Sequence, residues 1–286
     1  METERLRSLL AIAEAAVDDV ESIFSTHVGA APAVRKDTGD FATHADLLIE
    51  RRLRDALSTL TDIPVLGEEF GCGDGRGTGD NANDADCPRG IPTEGPVWVI
   101  DPIDGTTNYA AGFPVCALLV ALVVDGQPEL SLTAMPLMHR RVTAIKGCGT
   151  KVNGYRVDLS SQAITTKSVA FGSIITGNAG TLPSTWRQEV LKHVGETYRT
   201  LRISGSVGVD LASTAVGAFR GAVTFSPHPW DNVAGVLLNR ESGCVVTDIF
   251  GQPWQPDSVG VIAGTEPVHA KLLAAVQAAG NPEDFK

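Results

Sequence analysis

Hydrophobic positions near the start of the chain repeat with a helical period. Leu6, Leu9, Leu10, Ile12, Ala13, Ala16, Val17, Val20, Ile23 and Phe24 recur at steps of three and four, which predicts an amphipathic helix over about the first 26 residues. A second helix is predicted from Thr43 to Leu60, with Leu47, Leu48, Leu53, Ala56 and Leu57 on one face and charges on the other. Thr43 is its N-cap, with Asp46 three residues on. Between the two helices, Val34 to Phe41 reads as an extended turn. Ile63 to Leu66 and Val97 to Ile100 are short apolar runs bounded by turn residues, as buried strands are.

From Ala117 to about Val157, apolar stretches are interrupted at Asp125-Gly126, Pro136, Gly147 to Gly149 and Asn153-Gly154, a spacing that predicts an antiparallel meander. The pattern then alternates. Strands are expected near Ser168 to Ile174, Tyr198 to Ile203, Ala222 to Phe225 and Val259 to Ala263. Helices are expected near Ser184 to Val194, Val207 to Gly217, Trp230 to Ser242 and Pro267 to Ala279. Sheets layered with helices, an α/β class, are implied by this alternation. No internal repeat appears, and the chain reads as one domain over 1–286 with two subdomains, about 1–165 and 166–286.

Gly71 to Gly95 breaks the pattern. It is rich in Gly, Asp and Asn, has almost no apolar residues, and reads as a long surface loop. Its run Asp80 to Asp86 invites a calcium reading, but from Asp80 the third position is Ala82 and the twelfth is Ile91, where an EF-hand needs oxygen ligands.

Composition narrows the function classes. The 286 residues carry 23 Lys plus Arg against 34 Asp plus Glu, a net charge of −11, which opposes binding to a phosphate backbone, so no nucleic-acid partner is expected. No apolar run approaches the roughly 20 residues a spanning helix needs, so no membrane is expected either. Glu14, Asp18 and Asp19 interrupt the apolar positions near the start, and no secretory leader is read. Five unclustered cysteines, Cys72, Cys87, Cys116, Cys148 and Cys244, suit a reducing compartment, and the expected location is the cytoplasm. The histidines are scattered without the spacing of a helix-borne zinc pair.

Chemistry concentrates in Trp98 to Tyr109, WVIDPIDGTTNY. A buried strand runs into Asp101-Pro102-Ile103-Asp104, where Pro at the second position is expected to preset a turn that brings the first and fourth Cα atoms within about 7 Å. Gly105 permits close backbone approach to a ligand, and Thr106 and Thr107 open a helix whose N–H groups attract phosphate. Two carboxylates facing a phosphate repel it unless cations lie between, so the arrangement makes sense chiefly as a Mg²⁺ platform; an Asp-Pro turn and a helix cap is the plainer alternative. Gly67-Glu68-Glu69 ends one predicted strand, and Asp231 of HPWDNVAG opens an apolar helix. Each alone is explicable as a surface or capping group.

Together these segments form a set. GEE at 67–69, DPIDGT at 101–106 and WD at 230–231, with Lys36 and Asp46 upstream, make the chain resemble the inositol monophosphatase family of magnesium-dependent, lithium-sensitive phosphatases, closest to actinobacterial members. The resemblance covers nearly the whole chain apart from 71–95, which is longer than is usual there. It implies a layered αβαβα sandwich of the sugar-phosphatase type, commonly a homodimer. It also implies two or three Mg²⁺ ions, one held by Glu68, Asp101 and the Ile103 carbonyl, and a second by Asp101, Asp104 and Asp231. Glu68 with Thr106 would orient the attacking water, and the N–H groups of Gly105 and Thr106 would hold phosphate. Lys36, Asp46 and Glu69 would support them, while Gly205-Ser206-Val207 would face the substrate.

The activity implied is hydrolysis of a phosphomonoester, myo-inositol 1-phosphate or a related polyol phosphate, by metal-activated water. Histidinol-phosphate, fructose-1,6-bisphosphate and 3',5'-bisphosphonucleoside phosphatases share the same core, and a non-catalytic regulatory protein on this scaffold is the alternative of a different class. One position departs from the family. Seven residues before Asp231, where inositol-specific members carry a Glu, stands Thr224, which predicts looser selectivity, with Arg220 or His228 as neighbours that compensate.

Overall fold

The computed structural model describes residues 1–35, 41–72, 90–159, 166–172 and 182–286; Lys36 and most of the 71–95 segment, including Asp80 to Asp86, lie outside them. The long first helix, α1 (Thr3–Thr26), buries Leu6, Leu9, Ala13, Ala16, Val17, Val20 and Phe24 along one stripe. A two-stranded antiparallel ribbon, β1 (Pro32–Arg35) and β2 (Phe41–Thr43), takes the place of the extended turn. It leads into α2 (His44–Thr61), whose N-cap is Thr43 with a full capping box to Asp46.

Charge is not confined to the outer face of α2. Ala45, Ile49, Leu53 and Leu57 form one buried stripe, and Asp46, Glu50 and Arg54, one position on, form a second. Leu47 and Leu48 are only half-buried, a correction to the predicted face.

Then come β3 (Val65–Gly67), β4 (Pro96–Asp104), the short helix α3 (Thr106–Ala110), β5 (Ala117–Val124), β6 (Gln127–Met135), β7 (Arg140–Ile145), β8 (Gly149–Val152) and β9 (Tyr155–Val157). These strands form a seven-stranded sheet in chain order, parallel between β3 and β4 and antiparallel thereafter. The second half supplies β10 (Ser168–Phe171), α4 (Ser184–Thr197), β11 (Thr200–Arg202), α5 (Val207–Ala215), β12 (Gly221–Thr224), α6 (Pro229–Glu241), β13 (Val245–Thr247), β14 (Val261–Gly264) and α7 (Glu266–Ala278). Its five strands are ordered β11-β10-β12-β14-β13. The hairpin partner β13 is too short, at three residues, for its alternation to be read in the sequence.

Period-two alternation sorts the side chains into layers. Trp98 and Ile100 of β4, with Leu118, Val120 and Leu122 of β5, pack against α1 and α2. Val97 and Val99, with Leu119, Ala121 and Val123, face the other way onto α5 and α6, whose far side meets Ala170, Ala222 and Ala263 of the second sheet. Phe171, Val223 and Ile262 then pack on α4 and α7. The order is helix, sheet, helix, sheet, helix, the sandwich implied by the resemblance. Among the described residues no helix is long and apolar enough to cross a membrane.

Candidate active site

The parallel register of β3 with β4 begins the site. Gly67 lies opposite Ile100, so the next residues along, Glu68 and Asp101, leave the same end of two adjacent strands. That end is where open α/β sheets place ligands.

Beyond Asp101 the chain does not make the predicted turn. Residues 101–104 remain in β4, and the pairing with β5 passes from Asp101 opposite Leu119 to Asp104 opposite Ala117, three residues against two. One extra residue is a β-bulge, and it reverses the alternation. Ile103 joins Ile100 on the α1–α2 side, while Asp104 turns with Asp101 toward α5. The bulge, not a Pro turn, brings the two carboxylates to one face.

Asp104 meets the start of α5. The Ser206 hydroxyl donates to its Oδ2, as does the Gly208 N–H at 2.8 Å, and the Val207 N–H donates to Oδ1 at 3.1 Å. Burial still pushes its carboxyl up to about 6, against those three donors. Asp101 is buried too, and its carboxyl is held well above the ordinary range, first by burial and then by the charges of Glu68, Asp104 and Asp231. Its Oδ1 accepts the Ile103 N–H at 3.0 Å. Asp231 stands in the first turn of α6, after Pro229, and accepts the Ser226 hydroxyl at 2.5 Å.

Four carboxylates from three segments, the turn after β3, the end of β4 and the start of α6, therefore act on one another. Among the described residues, no three His, Cys, Asp or Glu side chains form a group ready to hold an ion, so the acids converge without a closed cage. Every principal influence on Asp101 comes from burial or from another acid, and a divalent cation is the counter-charge that such a set fits.

Gly105 caps α3 at φ +85, and a Cβ there would stand 3.1 Å from both Ser206 Cβ and the Val115 carbonyl oxygen, so glycine is required twice over. The Thr106 hydroxyl donates to the Ile103 carbonyl at 2.9 Å, which ties together two of the expected site groups. Asp46 is fully buried, with Oδ2 accepting the Thr43 N–H at 2.7 Å.

Two residues are placed otherwise than the sequence suggested. Ser206 is buried, caps α5 through the Val209 N–H and donates its proton to Asp104, so in this structure its hydroxyl is engaged with a carboxylate of the site. Thr224 is fully buried, and its hydroxyl accepts the Val261 N–H at 3.0 Å from the neighbouring strand, which removes it from any open surface. Arg220 precedes β12, four residues from Thr224 and toward the other end of that strand, so it does not compensate there. His228 stacks on Trp230 with ring centroids 4.8 Å apart.

Residues the sequence did not single out also shape the site. The Asn108 amide donates to the carbonyls of Val115, at 2.7 Å, and Ser204, at 2.8 Å, binding α3 to the loop before α5. Glu50 and Arg54 lie beneath the GEE turn. The signal for that pair is a Glu and an Arg at i,i+4 on a helix with buried neighbours.

A five-layer sandwich with acids at the mouth of both sheets defines a phosphatase of the layered α/β class. The chain belongs to the inositol monophosphatase family, whose model matches residues 4–281, and that family is Mg²⁺-dependent. The inositol-1-monophosphatase ImpA of Mycolicibacterium smegmatis is 38% identical to it, covering 100% of this chain and 98% of its own length. The probable inositol 1-monophosphatase ImpA of Mycobacterium tuberculosis is 40% identical, covering 96% and 95%. Among solved structures, the Thermotoga maritima IMPase superposes with a TM-score of 0.76 at 24% identity, over 94% of this chain and 95% of that one.

Proposed function

We propose that this phosphatase hydrolyses myo-inositol 1-phosphate or a closely related polyol phosphate, with Glu68, Asp101, the Ile103 carbonyl, Asp104 and Asp231 holding two or three Mg²⁺ ions. The observation that carries the metal reading is Asp101, buried among three other carboxylates. The two relatives named for this substrate, matched over nearly their full lengths, support the choice of alcohol.

Bound Mg²⁺ would neutralise the phosphate, lower the pKa of a coordinated water and stabilise the leaving alkoxide. The chain's own groups do the rest. Glu68, beside Asp101, accepts the proton of the attacking water. The Thr106 hydroxyl donates its proton to the Ile103 carbonyl and would accept a hydrogen bond from the attacking water. The N–H groups of Gly105 and Thr106 receive phosphate oxygens at the start of α3. Asp46 and Glu69 support this set from α2 and the GEE turn; Lys36 belongs to the same reading and lies outside the described residues. Substrate selectivity is assigned to the loops around His228 and Trp230 and not to Thr224.

Cys116, Cys148 and Cys244 are free thiols, which supports a cytoplasmic protein. A homodimer is the state expected from the family. Phosphate release measured over inositol, sugar, amino-alcohol, nucleotide and glycerol phosphates, with and without Mg²⁺, tests the proposal. The reading requires Mg²⁺-dependent turnover that is fastest on inositol 1-phosphate; faster release from histidinol phosphate or a bisphosphate would reassign the substrate, and no release from any would leave only a binding scaffold.

A further inference from the structure

The GEE turn has an unusual foundation. Glu50 and Arg54, one turn apart on α2, form an ion pair of 3.0 Å with side-chain exposures of 0% and 6%. Glu50 accepts the Glu69 N–H on Oε2 at 2.8 Å and the Phe70 N–H on Oε1 at 3.0 Å. Arg54 donates to the Val65 carbonyl at 2.6 Å and to the Gly71 carbonyl at 2.7 Å. Four hydrogen bonds thus reach backbone groups on both sides of Glu68. The contact is so close that a Cβ on Gly67 would fall 2.1 Å from Glu50 Oε1. From the outer side of α2, the Arg51 guanidinium lies over the Phe70 ring at 5.1 Å.

Stability does not account for this arrangement. Taking two charges out of water costs about as much as their attraction returns, and buried ion pairs are often replaced by apolar residues without loss. What the pair does provide is a fixed backbone. Glu68 sits beside Asp101 and shares a hydrogen bond with its protonated carboxyl, with Asp104 and Asp231 also near, so that once these acids ionise like charges push the Glu68 carboxylate out of the cluster. A turn left to itself would relax away from that repulsion.

We propose that Glu50 and Arg54 are positioning residues that hold the Glu68–Glu69 turn against the repulsion of the other acids, so that Glu68 stays beside Asp101 before a cation arrives. The inference rests on the reading of the acid cluster as a Mg²⁺ site. Preorganisation of this kind acts on cation affinity, because the cost of gathering the carboxylates is otherwise met at the moment of binding.

The test uses the whole chain with Glu50→Gln and Arg54→Lys, each variant measured by Tm, by kcat and KM for a phosphomonoester, and by the Mg²⁺ concentration giving half-maximal phosphate release. Glu50→Gln keeps the shape but turns an N–H donor toward an N–H donor; Arg54→Lys keeps the charge but loses the fork that spans two carbonyls. In each, half-saturating Mg²⁺ is expected to rise about tenfold, the worth of one charge-assisted hydrogen bond, with kcat largely recovered at high Mg²⁺ and KM little changed. If one variant fails to fold, the other gives the same reading. A half-saturating Mg²⁺ within about twofold of the unsubstituted chain, with activity falling only as the folded fraction falls, would reduce the pair to a structural role. Asp101→Asn separates the two levels: if it keeps full Mg²⁺-dependent release, the metal reading itself is wrong, whereas its inactivity beside unmoved Mg²⁺ dependence in the Glu50 and Arg54 variants overturns only this inference.

Discussion

Asp101 and Asp104 stand three residues apart on one strand, both buried and both with carboxyls shifted upward, yet they are held in opposite ways. Asp104 is met by a hydroxyl and two helix-start N–H groups. Asp101 accepts one N–H and is otherwise surrounded by acids. Protein donors answer the charge of the first and leave the charge of the second to be answered from outside. Two carboxylates in one motif thereby serve different ends: Asp104 joins the two halves of the sandwich, and Asp101 is the acid that, on the proposed reading, a cation would answer.

The largest expected effect falls on the unanswered acid. Asp101→Asn should lower Mg²⁺-dependent phosphate release by about a thousandfold or more, since a metal position contributes several kcal/mol to the transition state. A steady-state assay at saturating Mg²⁺ checks this, and a loss under tenfold would put the cation elsewhere. Ser206→Ala probes the answered acid more gently. It removes one charge-assisted hydrogen bond to Asp104 and the cap of α5, so kcat/KM should fall about tenfold and stability by about 1 kcal/mol. A lower Tm with unchanged kcat/KM would leave Ser206 a cap alone.

Protonation sharpens the contrast. The Asp104 carboxyl titrates at about 6 when folded against 3.8 as a free group, and Asp101 is shifted in the same direction, so the folded chain binds these protons more tightly than the unfolded one. The contribution of Asp104 to stability is therefore best at low pH and is lost as pH rises from the usual carboxylate value through about 6, and that of Asp101 is lost in the same direction. In metal-free buffer, Asp101→Asn should flatten this part of a Tm-against-pH profile; an unaltered profile would mean that Asp101 is not among the groups titrating. The smallest effect is expected furthest from the acids. Thr224→Val removes the acceptor of the Val261 N–H and should cost about 1 to 3 kcal/mol of stability while leaving the ranking of substrates in a phosphate-release panel as it was. A changed ranking would return Thr224 to the substrate.

The sequence was most legible where structure is local. The stripe of α1 and the Thr43–Asp46 box of α2 are set by residues within one turn of each other, and both appear where the pattern puts them. The acids were legible as types and in their order. Their presentation was not, because the bulge at 101–104 exists only against the register of β5, and no residue of DPID announces it. Thr224 was misplaced for a similar reason: its partner, Val261, comes 37 residues later. Glu50 and Arg54 were hidden among the charges of α2, since what makes a charge buried there is the turn packed against it.

Whether a cation is held at Asp101 is tested most directly by Tm, measured for the chain and for Asp101→Asn, first in a chelator and then across a Mg²⁺ titration. The unsubstituted chain should gain about 2.7 kcal/mol when Mg²⁺ reaches a hundred times its Kd. The variant, freed of a buried acid crowded by other carboxylates, should melt above the unsubstituted chain in the chelator and then hardly respond to Mg²⁺. A variant that melts lower in the chelator, or that gains as much from Mg²⁺ as the unsubstituted chain, would contradict the account.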